Sequence, residues 1–142
     1  MLDVLDLAPV ARLTKDLKDD SELLSKDEVM KVAIVGSRDY KPLSEVTDFV
    51  NHLPDDTIVV SGGARGVDST AEKAAKKRGL RTIIFPAEWD KYGKSAGFLR
   101  NRSIVTAADM VVVFWNGRSR GTMHAIKLAE EMYKPKIVQR SM

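Results

Sequence analysis

The chain has 142 residues, of which 44% are apolar and 30% are charged, as expected for one globular domain with a core of ordinary size. It contains no cysteine, which excludes disulfides and any site that needs a thiolate. No apolar run approaches the roughly 20 residues that span a bilayer, and the acidic N-terminus is unlike a signal peptide. We therefore expect a cytoplasmic protein with no membrane partner.

The formal net charge of +3 is unevenly distributed along the chain. Residues 1–30 contain four basic and eight acidic side chains, so this segment is near −4 and the remainder is near +7. A basic body with an acidic arm indicates an anionic ligand for the body. The alternative is a solvated surface with scattered lysines, and charge alone favours that alternative.

Apolar, β-branched runs alternate with helix-like segments along the chain. The runs predict five strands, at residues 31–37, 57–63, 80–86, 109–115 and 135–139. The intervening patterns predict helices at residues 46–53, 67–78, 97–107 and 121–133. In the second helix, the cations Lys73, Lys76, Lys77 and Arg78 are interpreted as a solvated face. The middles of the strands are uniformly apolar, which is typical of strands covered on both faces.

This alternation predicts an α/β fold, a Rossmann-like three-layer sandwich with a five-stranded parallel sheet. We expect the strand order 3-2-1-4-5, because the longest excursion separates strands three and four. We divide the chain into an N-terminal extension, residues 1–30, and a Rossmann-like domain, residues 31–142. The extension is expected to be helical, and packing on its own subunit, a partner-binding arm and a disordered tail all stay open for it.

Glycines and cations concentrate where the predicted strands end. The stretch "SGGARGVD" follows the second strand, and "NGRSRGT" follows the fourth. In an open parallel sheet these ends share one edge, where ligands bind. Glycines let backbone N–H groups approach an anion, helix N-termini add unpaired donors, and arginines match phosphate oxygens. The pattern therefore predicts a phosphate-binding edge, although a tight turn would account for any one glycine pair.

Three longer stretches together resemble a known family. "SGGARGVDSTAE", "FPAEWDKYGKSAGFLRNRSIV" and "NGRSRGT" occur in the order and spacing of the YspA/cpYpsA-related group of the SLOG superfamily. The match covers about residues 31–139. Residues 61–75 also resemble the DNA-processing protein DprA/Smf, and the last loop is similar to that of the LOG phosphoribohydrolases. The resemblance implies a nucleotide or nucleotide-derived ligand, and chains that pair through helices beside the site.

The resemblance also implies a set of ligand-binding positions. We add Trp89 and Trp115 as residues that would either stack on a base or pack, and Asp68 would either cap a helix or bind a hydroxyl. The LOG enzymes carry a glutamate three residues after the loop threonine, where this chain has Ala125. The complete candidate set is Gly36, Ser37, Arg38, Ser61, Gly62, Gly63, Ala64, Arg65, Gly66, Asp68, Trp89, Arg100, Asn101, Trp115, Gly117, Arg118, Ser119, Arg120, Gly121 and Thr122.

Three functions stay open at this stage. The first is capture of a nucleotide or ADP-ribose-like molecule, as a sensor or a sequestering protein. The second is hydrolysis of an N-glycosidic bond, with Asp68 and Glu88 as candidate catalytic carboxylates. The third is single-stranded DNA binding in the DprA manner, which we rank lowest because aromatic residues make up only 6% of the chain. No cofactor is expected, and nothing in the sequence has the spacing of a metal site.

Overall fold

A computed structural model describes residues 29–141 of the chain. The predicted N-terminal extension lies outside these residues, apart from its last two positions, so it remains a prediction. The elements follow one another in the order β1 (Lys31–Gly36), α1 (Ser44–Asn51), β2 (Ile58–Ser61), α2 (Val67–Lys77), β3 (Arg81–Ile84), α3 (Trp89–Tyr92), a 3₁₀ turn (Gly93–Ser95), α4 (Ala96–Ala107), β4 (Met110–Trp115), α5 (Arg120–Glu131) and β5 (Lys136–Arg140).

The five strands form one parallel sheet in the order β3-β2-β1-β4-β5, which confirms the predicted topology. The central strand β1 pairs with β2 on one side and with β4 on the other. After β3 the chain crosses back over the sheet and starts β4 next to β1. The strand order therefore reverses between β1 and β4, and a crevice beyond their carboxyl ends is the expected ligand position.

Two hydrophobic layers cover the sheet. Val32 and Ile34 of β1 face one cluster, which includes buried residues of α1 and α2. Ala33 and Val35, the alternate residues of the same strand, face the other cluster, which includes residues of α4 and α5. Because successive side chains point to opposite faces of a strand, a run of four apolar residues contributes two side chains to each of the two hydrophobic layers. This explains why β1, β2 and β4 have uniformly apolar middles.

The fold differs from the prediction at two places. Residues 89–95 form a short helix and a 3₁₀ turn, where the pattern predicts no helix before residue 97. The prediction that Arg78 belongs to a solvated face is wrong. Its guanidinium donates to the carbonyls of Val50 (2.7 Å) and Leu53 (2.8 Å), at the end of α1, and pairs with Asp55.

Within residues 29–141, none of the helices has both the length and the apolar content that crossing a bilayer requires.

Candidate functional site

A cleft of about 490 Å³ lies beyond the carboxyl ends of the strands, where the order of the sheet reverses. The end of β1, the turn after β2, the 89–101 region and the start of α5 all contribute to its wall. Its volume is within the usual range for small-molecule pockets. The lining residues are Val35, Gly36, Arg38, Asp39, Ala64, Asp68, Trp89, Lys94, Gly97, Phe98, Arg100, Asn101, Ser119, Gly121, Thr122 and Ala125.

Gly62 is held between two charged side chains at this cleft. Its N–H donates to the Asp68 carboxylate at 3.1 Å, and its carbonyl accepts from Arg100 Nη1 at 2.9 Å. Ala64 N–H also donates to Asp68, at 3.4 Å. A Cβ at position 62 would lie 2.5 Å from Arg100 Nη1 and 2.9 Å from Asp68 Oδ2. The turn after β2 is therefore tied to α2 by Asp68 and to α4 by Arg100, and any larger residue at position 62 would have to displace one of these two side chains.

The burial of Asp68 and Arg100 changes their acid–base behaviour. Asp68 is only 4% exposed, and this burial raises its pKa to about 6, against the opposing effects of Arg100 and of backbone N–H groups. Burial also lowers the pKa of Arg100 from its ordinary value, opposed by the nearby Asp68 carboxylate. The buried Nε of Arg100 has no hydrogen-bond partner within residues 29–141. Arg100 thus brings a cation and an unused donor into the cleft wall.

Two other glycines of the site are needed for internal packing. A Cβ at Gly36 would collide with the Phe114 carbonyl and the Val67 side chain. A Cβ at Gly66, where φ is +84°, would collide with the backbone of Arg38. The sequence pattern predicts that the bare backbone at this edge serves the approach of a phosphate. The contacts at these two glycines, as at Gly62, are instead with other parts of the chain.

The turn after β4 is preorganised by polar side chains. Asn116 Oδ1 accepts from the N–H groups of Arg118 and Ser119, both at 2.8 Å. Ser119 caps α5, since its Oγ accepts from Thr122 N–H at 3.3 Å. Ser37, after β1, accepts from Asn116 N–H at 3.0 Å. These bonds fix the start of α5 against the end of β1, beside the cleft.

Asn101 connects α4 to α5 across the cleft. Its amide donates to the Gly121 carbonyl at 2.9 Å and lies 3.3 Å from His124 Nδ1. Burial, together with the nearby Arg102, lowers the pKa of His124. Burial thus disfavours the charged form of this histidine, against the opposing effect of Glu131. Asn101 is buried, so it positions the two helices as well as lining the cleft.

The structure brings ten of the twenty candidate residues into the wall of the cleft. The other ten lie in the buried framework, in the turn after β2, or around a second pocket. Ser61 is buried and donates to the Ile34 carbonyl, and Ser37 is likewise buried beneath the turn after β4. The ten residues of the wall are Gly36, Arg38, Ala64, Asp68, Trp89, Arg100, Asn101, Ser119, Gly121 and Thr122.

The two candidate catalytic carboxylates are in different places. Asp68 lines the cleft but accepts hydrogen bonds from the turn after β2. Glu88 is exposed and lines a neighbouring pocket with Arg100 and Arg102. Ala125, which replaces the glutamate expected in a phosphoribohydrolase, is at the cleft wall. Within residues 29–141, no group of three or more His, Asp or Glu side chains is arranged to hold a metal ion.

Sequence reasoning included Trp89 among the candidates but missed two further aromatic side chains of the edge, Tyr92 and Phe98. Trp89 and Phe98, each 51% exposed, line the cleft, and Tyr92, 44% exposed, lines the pocket that contains Glu88. In the sequence, the low overall aromatic content concealed this concentration. The useful signal was local, because Trp89, Tyr92 and Phe98 fall within ten residues together with Lys91, Lys94 and, just beyond them, Arg100.

These features define a class: a Rossmann-like α/β domain with a cationic cleft at its topological switch point. The match to known proteins then identifies the family. Residues 19–93, more than half of the chain, match the family model for DNA recombination-mediator protein A. The chain belongs to this DprA family, which is part of the SLOG superfamily, as the motifs predicted. The Gene 61 protein of Mycobacterium phage D29 is 37% identical over 117 residues, which are 75% of this chain and 94% of that protein.

Two solved structures share the fold. DNA processing protein A from Streptococcus pneumoniae has a TM-score of 0.66 and 25% identity, over 78% of this chain. DNA processing protein A from Helicobacter pylori, a protein with a single-stranded DNA binding mode, has a TM-score of 0.65 and 24% identity, over 79% of this chain. The chain spans 50% of the length of the first protein and 66% of the second.

Proposed function

We propose that this protein binds single-stranded DNA along the edge where the strands of its sheet end. Family membership reverses the order in which the sequence-based hypotheses were ranked, since DNA binding stood third among them. The observation that carries the proposal is the mixture of exposed aromatic rings and cations at this edge. Sequence-tolerant binding of single strands needs both, because cations track the phosphates and aromatic faces stack on the bases.

The cations of the edge supply the electrostatic part. Arg38, Lys94 and Arg100 line the cleft, and Arg102 lines the pocket beside it. The cleft also contains the carboxylates of Asp39 and Asp68, so its positive charge is partly offset. Asp39 is held by Asn116, whose amide donates to it at 2.6 Å. A strand would therefore contact the guanidinium and ammonium groups at the rim while its bases lie against the wall.

The aromatic rings supply the stacking part. Trp89 packs on Gly97, where a Cβ would lie 3.4 Å from the indole, so the ring rests on the first turn of α4. Half of its surface stays open to solvent. An exposed ring that is held by a neighbouring helix is a suitable platform for a base. Removing such a platform costs about 1–3 kcal/mol per base.

The size of the cleft favours a second candidate function. A volume of about 490 Å³ also accommodates a free nucleotide-derived molecule, the ligand that we ranked first from the sequence. The same cations would then bind its phosphates. The two functions differ in how affinity depends on the length of an oligonucleotide. If a DNA strand extends beyond the cleft, further nucleotides add affinity. If the cleft takes only a small molecule, a mononucleotide binds as tightly as a long strand.

A salt titration tests the proposal. Fluorescence anisotropy with a labelled oligothymidylate of about 20 nucleotides would give the dissociation constant between about 50 and 200 mM salt, a range in which phosphate contacts weaken steeply. We expect the logarithm of the affinity to fall linearly with the logarithm of salt, with a slope of about −0.7 for each phosphate contacted. Lys94→Gln and Arg102→Gln should each reduce the slope, and Trp89→Ala should weaken binding about 5- to 150-fold.

Lys77→Gln is the matched control for these variants. Lys77 is exposed and carries the same charge as Lys94, but it ends α2 at the opposite edge of the sheet. Its removal should leave both affinity and slope unchanged. Salt-independent binding, or an equal loss in Lys77→Gln and Lys94→Gln, would contradict the proposal. Binding of dTMP as tight as that of the long strand would favour the nucleotide-derived ligand instead.

A further inference from the structure

A second pocket, of about 420 Å³, lies beside the cleft and is separate from it. The two share a wall made by Phe98 and Ser119. Within α5, residues 121, 122 and 125 line the cleft, whereas residues 120, 123, 124 and 127 line the second pocket, because these sets occupy different faces of the helix. The lining residues of the second pocket are Phe98, Trp115, Gly117, Arg118, Ser119, Arg120, Met123, His124 and Lys127.

Among residues 29–141, the charged side chains that line the second pocket are all of one sign. Arg118, Arg120 and Lys127 line it and no carboxylate of this part of the chain does, whereas two carboxylates line the cleft. Arg118 lies 4.0 Å from Asp39 with both side chains exposed, an arrangement that contributes little. Among the ion pairs of the described part of the chain, none includes Arg120 or Lys127. Two cations without an ion-pair partner in residues 29–141, and a third that is weakly paired, therefore surround a concave surface.

Two aromatic rings accompany these cations. The Trp115 indole N–H donates to the Ser119 carbonyl at 3.2 Å, which fixes the ring against the turn. Phe98 lies 4.4 Å from the His124 ring, measured between centroids, and is half exposed at the boundary between the two pockets. Cations together with aromatic faces match a phosphate that carries a base.

We propose that the second pocket is a subsite for one nucleotide, phosphate and base, that is contiguous along the same DNA strand with the nucleotide in the cleft. This inference rests on the proposed function, since it assigns a path to the bound strand. Phe98 lines both pockets, and this is why we place the two nucleotides next to each other on one strand. One base would lie on each side of the Phe98 ring, and the DNA backbone would connect the two nucleotides.

Oligothymidylates of increasing length provide the test, with the double variant Arg120→Gln/Lys127→Gln compared with wild type and with Lys77→Gln. Both substituted side chains are exposed, so the variant should fold normally. We expect the variant to bind dTMP, which fills the cleft alone, as wild type does, and to bind a dinucleotide and longer strands about tenfold or more weakly than wild type. Its salt slope should be smaller in magnitude by about 0.7 for each phosphate that the substituted side chains no longer neutralise.

The outcomes separate the two proposals. If wild type binds the long strand and the double variant binds it equally well with an unchanged slope, the subsite is wrong while DNA binding stands. If wild type binds no strand, the proposed function fails and the assigned path fails with it. If the variant loses binding of free dTMP but not of the strand, the pocket takes a free nucleotide, and its assignment to the strand is overturned.

Discussion

Replacing Gly62 with alanine tests the reason why glycine occupies the turn after β2. The added methyl carbon would lie 2.5 Å from Arg100 Nη1, 2.8 Å from Arg100 Cδ and 2.9 Å from Asp68 Oδ2. A Cβ atom essentially never lies so close to another heavy atom of a protein. Arg100 must therefore leave the Gly62 carbonyl, or the turn must move away from Asp68, which accepts its N–H at 3.1 Å.

The expected loss combines two effects. Overpacking of a well-filled site costs about 1–3 kcal/mol, and removal of a hydrogen bond to a charged group costs about 1.5–3 kcal/mol. Because relief of the clash breaks the bond, the two effects overlap and do not add fully. We expect Gly62→Ala to lower the free energy of unfolding by about 2–4 kcal/mol.

Urea unfolding followed by circular dichroism measures this change. Gly121→Ala is the control, because Gly121 is in α5 and a Cβ there would meet nothing within 4 Å. Alanine at this position should leave stability unchanged or raise it by up to about 1 kcal/mol, since glycine is a poor helix former. If Gly62→Ala were as stable as wild type, the packing of Asp68 and Arg100 around this backbone would not be the reason for the glycine.

Three further substitutions test the framework of the site. Burial raises the pKa of Asp68 to about 6, so the folded state binds this proton more tightly than the unfolded state, and stability should fall as pH rises from about 4 to about 6. The free energy of unfolding of wild type, relative to that of Asp68→Asn, should therefore decrease by roughly 3 kcal/mol over that range. Urea unfolding of both proteins from about pH 4 to about pH 8 measures this change. If the two free energies differed by the same amount at every pH, the raised pKa of Asp68 would be contradicted. Arg78→Ala should cost about 1–3 kcal/mol in thermal unfolding, because it removes the guanidinium that donates to the carbonyls of Val50 and Leu53. Lys77→Ala, one residue away and exposed, is its control. Ser119→Ala should cost about 1 kcal/mol by removing the cap of α5, and Ser119→Asp should retain most of the stability if capping is the cause.

The sheet was predictable because its signals are local and repeated. Each strand is a short β-branched run between turn residues, and the long excursion from residue 85 to 109 placed β4 on the far side of β1. Binary patterning and the rules for crossover connections then leave few topologies. The gathering of Arg38, Arg100 and the turn after β4 at one edge follows from the same rules.

The packing of the glycines was not predictable, because it depends on contacts between distant residues. Gly62 is confined by side chains six and 38 positions along the chain, and Gly66 by the backbone of Arg38. The same holds for Arg78, whose position in the sequence is typical of a solvated face but which caps the end of another helix. The sequence predicts one dense site around residues 117–122, whereas the faces of α5 divide them between two pockets.

The most direct test of DNA binding at this edge is a nuclear magnetic resonance titration of the ¹⁵N-labelled protein with a short oligothymidylate. Binding at the proposed edge predicts shift changes in the turns after β1, β2 and β4 and at residues 89–102, including the indole N–H of Trp89. Residues at the opposite edge, such as Leu53 and Gly79, should keep their positions. Changes centred on that opposite edge, or none at the saturating concentration of the strand, would contradict DNA binding at the ends of the strands.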